Sequence, residues 1–146
     1  MKILILSDSH GNEKPFEKVL REEADAAAVF FLGDGLYEAD RMSGILPGTP
    51  FYKVRGNCDL NLNEPPEGMV ECGGLQVFYT HGHGYEVKLS LLPLKKAARR
   101  RGAEIVLFGH THIPYYEYDN GLYLFNPGAL SGSRSNWAGY GLLFIE

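Results

Sequence analysis

The strongest constraint on the fold is a repeated ending. Five short apolar runs lie at residues 3 to 6 (ILIL), 28 to 32 (AVFFL), 51 to 54 (FYKV), 75 to 79 (LQVFY) and 104 to 108 (EIVLF), and each passes through Ser, Gly, Arg-Gly or Thr to Asp, Asn or His. Runs of this length bounded by turn residues suit buried strands. Helical spacing of Phe16, Val19, Leu20 and Ala24 predicts a helix over 13 to 24, with Asn12 as a cap and Pro15 in the first turn. A second helix is expected after Ser90, with Pro93 in its first turn and a stop near Gly102. Strands joined through helices make right-handed crossovers and pair in parallel, which lines up their C-terminal ends at one edge. Ligands of open α/β sheets bind at that edge. Asp8, Asp34, Asn57, His81 and His110 are therefore expected to converge.

The later segments YYEYDNGLYLFNPG and YGLLFIE read as antiparallel strands, the first folded back through a turn at Asp119-Asn120-Gly121. The fold class is thus α/β with mixed sheets. At 146 residues the chain suits a single domain, 1–146, with no internal repeat or low-complexity linker. Apolar content of 45% and charged content of 22% are those of an ordinary soluble globular protein. The first apolar run is too short for a signal segment or membrane span, and two cysteines cannot make a disulfide framework. A cytoplasmic protein without a membrane partner is the expectation. A net charge of −4 argues against a stable nucleic-acid partner. The basic run KKAARRR, Lys95 to Arg101, reads as the exposed face and last turn of a helix.

Every histidine in the chain, His10, His81, His83, His110 and His112, falls in or beside one of these endings. Asp8 and His10 are two apart, as are His110 and His112, and an extended strand end would present both members of a pair on one side. Each piece alone is weak, because Gly-Asp-Gly is usually a turn and a lone histidine at a strand end is usually structural. Their joint placement at five strand exits points to a divalent-metal site.

In order along the chain stand Asp8-Ser9-His10, Gly33-Asp34, Gly56-Asn57-Cys58-Asp59, His81 and Gly109-His110-Thr111-His112. This pattern resembles the calcineurin-like metallophosphoesterase family, and the whole chain is similar to its small single-domain prokaryotic phosphodiesterases. The resemblance implies two packed, mostly parallel or mixed β-sheets flanked by helices. It further implies one divalent ion held by Asp8, His10, Asp34 and His112, and a second held by Asp34, Asn57, His81 and His110, with Asp34 shared. Manganese is the expected ion, and nickel, iron, cobalt and zinc suit the same donors. A hydroxide between the ions would attack the phosphorus of a small phosphoester substrate, so no protein nucleophile is required.

The departure from the family pattern is Cys58, which stands where many relatives carry a histidine assigned to phosphate contact or leaving-group protonation. Cys58 reads first as a buried structural thiol and second as a poor phosphate contact. Asp59 is expected to orient the Asn57 loop, and His83 in THGHG is the candidate for the missing acid or phosphate contact. His83, Asp59 and Cys58 are thus the catalytic candidates. A weak acid favours leaving groups that depart as anions, so aryl phosphodiesters are expected to react before alkyl monoesters. The Asn126-Pro127-Gly128 stretch reads as a plain turn, and Arg134 is a further phosphate contact to test. The competing reading is a non-catalytic protein-interaction scaffold, as in a retromer subunit of the same fold. The sequence leaves open the natural substrate and whether the chain forms a homo-oligomer.

Overall fold

A computed structural model describes residues 1–61, 63–132 and 138–146; Arg134 lies outside them. Two sheets pack face to face. The first is ordered β3-β2-β1-β9, built from β1 (Lys2–Leu6), β2 (Ala28–Phe31), β3 (Phe51–Lys53) and β9 (Gly141–Phe144). The second is ordered β4-β5-β6-β8-β7, built from β4 (Glu67–Cys72), β5 (Leu75–Thr80), β6 (Ile105–Leu107), β7 (Tyr115–Asp119) and β8 (Leu122–Asn126). β1, β2 and β3 run parallel, as do β5, β6 and β8, while β4, β7 and β9 pair antiparallel with their neighbours. Both sheets are therefore mixed. The tight turn at Asn120 and Gly121 has φ of 45° and 88°, the sign that a two-residue hairpin requires.

The continuous apolar runs have a direct cause: each central strand is covered on both faces. Ile3, Ile5, Phe30 and Leu32 point between the sheets and meet Val77, Tyr79, Ile105 and Leu107. The alternate residues Leu4, Leu6, Val29 and Phe31 pack outward against Phe16, Val19 and Leu20 of α1 (Glu13–Glu22) and Leu36 and Ala39 of α2 (Leu36–Met42). On the far side, Phe78, Val106 and Leu124 are covered by Leu94 and Ala98 of α3 (Leu92–Arg100). Burying side chains of this size stabilises the fold by about 1.5–3 kcal/mol each.

One expectation changes and two elements are added. Asn12 occupies the N-cap of α1, yet its side chain makes no capping bond. Helix α2 and strand β4 were not anticipated, although the structure places both at defined positions. KKAARRR forms the expected exposed face and last turn of a helix, with Lys95 paired to Glu117 and Asp119, Arg99 to Asp119 and Arg101 to Glu67.

Candidate metal centre

The parallel strands of both sheets end at one edge of the sandwich, and the polar residues that follow them meet there. Asp8, His10, Asp34 and Asn57 come from the loops after β1, β2 and β3; His81, His110 and His112 come from those after β5 and β6. The side-chain nitrogens and oxygens lie close together. His10 Nε2 is 3.2 Å from His112 Nε2 and 3.4 Å from Asp8 Oδ1, and His112 Nε2 is 3.2 Å from that same oxygen. His81 Nε2 is 3.1 Å from Asn57 Oδ1, and 3.2 Å from both Asp34 Oδ2 and His110 Nδ1. Asp34 Oδ2 sits between the two groups, since it is also 3.8 Å from His10 Nε2.

All seven residues expected from the sequence are brought together, and His110 and His112 fall in different groups. One donor group is Asp8, His10 and His112; another is Asp34, His81 and His110; Cys58 joins His10 and Asp34 in a third. The donors suit a divalent cation chemically. Asp8 is fully buried, and its Oδ1 has no hydrogen-bond partner among the described residues. A buried carboxylate oxygen left in this way is costly unless a cation meets it.

Local backbone geometry corrects the strand-end expectation for the Asp-x-His and His-x-His pairs. Neither pair is extended: Asp8, His10, Asp34, His110 and His112 have φ of 56°, 44°, 60°, 70° and 62°. The strands stop at Leu6 and Leu107, and left-handed turns aim the side chains. Non-glycine residues rarely adopt this conformation, and its clustering at a site marks a functional constraint. Glycine is required where backbones close on the cluster: a Cβ at Gly56 would stand 2.1 Å from Asp34 Oδ1, and one at Gly109 2.1 Å from Ser7 Oγ.

Charge is arranged around these loops. Burial opposes ionisation of Asp8, yet the imidazoles of His10 and His112 beside it hold its carboxyl well below the usual range. Asp34 is likewise lowered, by His81 and the Cys58 N–H acting against burial. The neighbouring Asp8 carboxylate raises His10. His81 is raised because Asp34 and Asp8 outweigh its burial. Burial, then the neighbouring His81, pushes His110 down to about 4. The His81 Nδ1 lies 2.6 Å from the Leu32 carbonyl, which fixes Nδ1 as the protonated nitrogen and leaves Nε2 with its lone pair toward the cluster.

The catalytic candidates separate clearly by geometry. Both Asp59 oxygens are occupied: Oδ2 accepts from the N–H groups of Asp34 and Gly56, and Oδ1 from those of Gly35 and Leu36. That is the geometry of a positioning residue. Cys58 is exposed, which corrects the expectation of a buried thiol; the turn that turns its N–H inward to Asp34 Oδ1 leaves the side chain on the rim. His83 stands beside the second group, with ring centroids 5.4 Å from His81 and 6.2 Å from His110, and its Nδ1 has no partner among the described residues. Burial, then His81, holds its imidazole below the ordinary range.

Two supporting residues escaped the sequence reading. Glu38 is buried on α2 and accepts from Ser9 Oγ and the Gly11 N–H, which ties the Asp8–Gly11 loop to that helix. Asn126 is more than a turn residue, for its amide donates to the Gly109 carbonyl and Thr111 Oγ1 and holds the loop that carries both histidines.

The calcineurin-like phosphoesterase superfamily domain matches residues 1–146. The probable metallophosphoesterase YsnB of Bacillus subtilis is 32% identical over 148 residues, covering 100% of this chain and 85% of its own length. Phosphodiesterase YfcE of Escherichia coli is 29% identical over 167 residues, covering 98% of this chain and 87% of its own. A solved single mutant of Vps29 from Entamoeba histolytica superposes with a TM-score of 0.80 at 21% identity, covering 100% of this chain and 87% of that one. That last likeness concerns the fold alone. Since the family domain spans every residue and a relative above 30% identity is matched over most of its length, the chain belongs to the calcineurin-like phosphoesterase superfamily.

Proposed function

We propose that this protein, as one domain over residues 1–146, is a cytoplasmic divalent-metal-dependent phosphodiesterase. The observation that carries the reading is the pair of donor groups meeting at Asp34, with a buried and unpartnered Asp8 oxygen in one of them. Asp8, His10, Asp34 and His112 would hold one ion, and Asp34, Asn57, His81 and His110 a second, manganese first among the candidates. Two such ions, when bound, supply the Lewis acidity that makes water a nucleophile near neutral pH and offsets charge on phosphoryl oxygens. The chain's own part is to hold these donors in place before the substrate arrives.

His83 contacts phosphate in this reading. A half-buried imidazole held below its ordinary range is neutral at pH 7, so it donates one N–H more readily than it delivers a proton. With Asp59 engaged by backbone and a thiol at Cys58, no strong acid serves the leaving group, and diesters with easily departing groups fit best. YfcE is named a phosphodiesterase and is similar over nearly the whole chain, which supports a diester substrate.

The test is hydrolysis of bis(4-nitrophenyl) phosphate and 4-nitrophenyl phosphate by metal-stripped protein with each divalent ion returned. Diester cleavage that exceeds monoester cleavage and depends on the ion supports the reading; an ion-independent rate or faster monoester cleavage overturns it. The second reading, a protein-interaction scaffold, is favoured by the likeness to Vps29. It predicts native protein that neither retains metal nor cleaves either ester, and Asp34→Ala with His81→Ala would then change nothing.

A further inference from the structure

Two clefts lie near the cluster and share no lining residue. One, of about 520 Å³, reaches it at His10, Asp34 and Cys58 and is bordered by Tyr37 and Leu60. The other, of about 410 Å³, is walled by Val87, Leu91, Phe108, Ile113 and Tyr115, with Lys88 on its rim. Thr111, the residue between the two loop histidines, also lines this second groove, which places the groove against the loop that carries His110 and His112. Phe108 leads directly into Gly109-His110 and lies 6.2 Å from the Tyr115 ring, which makes one wall aromatic. Ile113, one residue from His112, is 64% exposed and so offers its side chain to a ligand in the groove. Lys88 is exposed and lines the groove together with Thr111.

A phosphate monoester carries one organic arm and can fill only one of two clefts, whereas a diester carries a second arm for the other. We propose that this groove is the subsite for a flat apolar ester arm, aryl or similar, of a phosphodiester, with the Lys88 cation at its rim balancing the single negative charge of the phosphate. The inference rests on the phosphodiesterase reading and adds to it the residues that select the substrate. Five apolar walls match an aromatic ring in chemistry, and the lone cation matches the anion to which that ring is attached.

The test measures binding apart from turnover. Diphenylphosphinate and dimethylphosphinate carry the same charge and cannot be hydrolysed, so each is titrated calorimetrically into the manganese-loaded full-length protein. The wild type should bind the diphenyl anion about ten-fold or more tightly, the effect of burying one ring. Ile113→Ser should remove most of that preference, and Lys88→Ala should weaken both anions by a similar factor. Leu92→Ser, an exposed residue of α3 outside the groove, should keep the preference. Equal binding of the two anions by the wild type, or an equal loss of both in Ile113→Ser, overturns the proposal. Diester hydrolysis is assayed in parallel: its absence, with the diphenyl preference intact, overturns the enzymatic reading and leaves the subsite standing.

Discussion

At the scale of single residues, strain and electrostatics act on the same atoms. The left-handed conformation at Asp8, His10, Asp34, His110 and His112 costs energy that glycine would avoid, but glycine has no donor to offer. The seven candidate ligands were legible because metal-suited residue types recur at strand exits. Their backbone conformation was not, since an apolar run followed by a polar residue looks the same whether the strand continues or turns. His110 yields a pH prediction for the metal-free protein. Its pKa falls from 6.5 to about 4 on folding, so between those values the unfolded chain binds the extra proton and stability drops as pH falls. His83 is lowered as well and acts in the same direction. His10 and His81 are raised, so they contribute stability that is complete below 6.5 and is lost only at higher pH. Urea midpoints of the metal-free chain should therefore decline from pH 6.5 to 4. His110→Asn, a residue tolerant of positive φ, should flatten the decline; an unchanged slope would count against the assignment.

Elements were legible in proportion to how local their causes are. Helices α1 and α3 announce themselves through apolar spacing and a proline in the first turn, and both begin within two residues of the expected points. Helix α2 has no such local signal. It follows Gly35, and the acceptor at its N-terminus is Asp59, more than twenty residues away in sequence. Strand β4 was hidden for a similar reason: EGMVEC is only partly buried, at the sheet edge, and takes its register from β5. Asp59 thus joins two site loops, after β2 and β3, to the start of α2. Asp59→Ala should lower the stability of the metal-free protein by about 2 kcal/mol, because several backbone N–H groups lose a charged acceptor. Urea unfolding measures the loss, and manganese titration should show weaker binding although Asp59 is not itself a proposed ligand. An Asp59→Ala protein with wild-type stability would show that the clamp is not required. Asn126→Ala should act alike on the Gly109–Thr111 loop, weakening metal binding more than it lowers secondary structure measured by circular dichroism.

At the scale of the whole molecule, the candidate centre belongs to neither sheet alone. Asp8 and His10 follow a strand of the first sheet and His112 a strand of the second; Asp34 follows the first, and His81 and His110 the second. These two donor groups therefore span the sandwich. An ion bound to either one ties together two layers that are otherwise joined mainly by the apolar core between them. Ligand binding to the folded state stabilises it by about 2.7 kcal/mol when the ion is present at a hundred times its Kd. The melting temperature of chelator-treated protein should then rise with added manganese and continue to rise with the logarithm of its concentration. Because each ion needs donors from both layers, Asp34→Ala and His81→Ala should each abolish most of the rise from the group they share. The double variant should lose little more than either single one, since two residues acting through one ion are not additive. Additive losses in that cycle, or a manganese-induced rise that survives both substitutions, would show that the ion stabilises the fold from elsewhere and that the two sheets are held at this edge by packing alone.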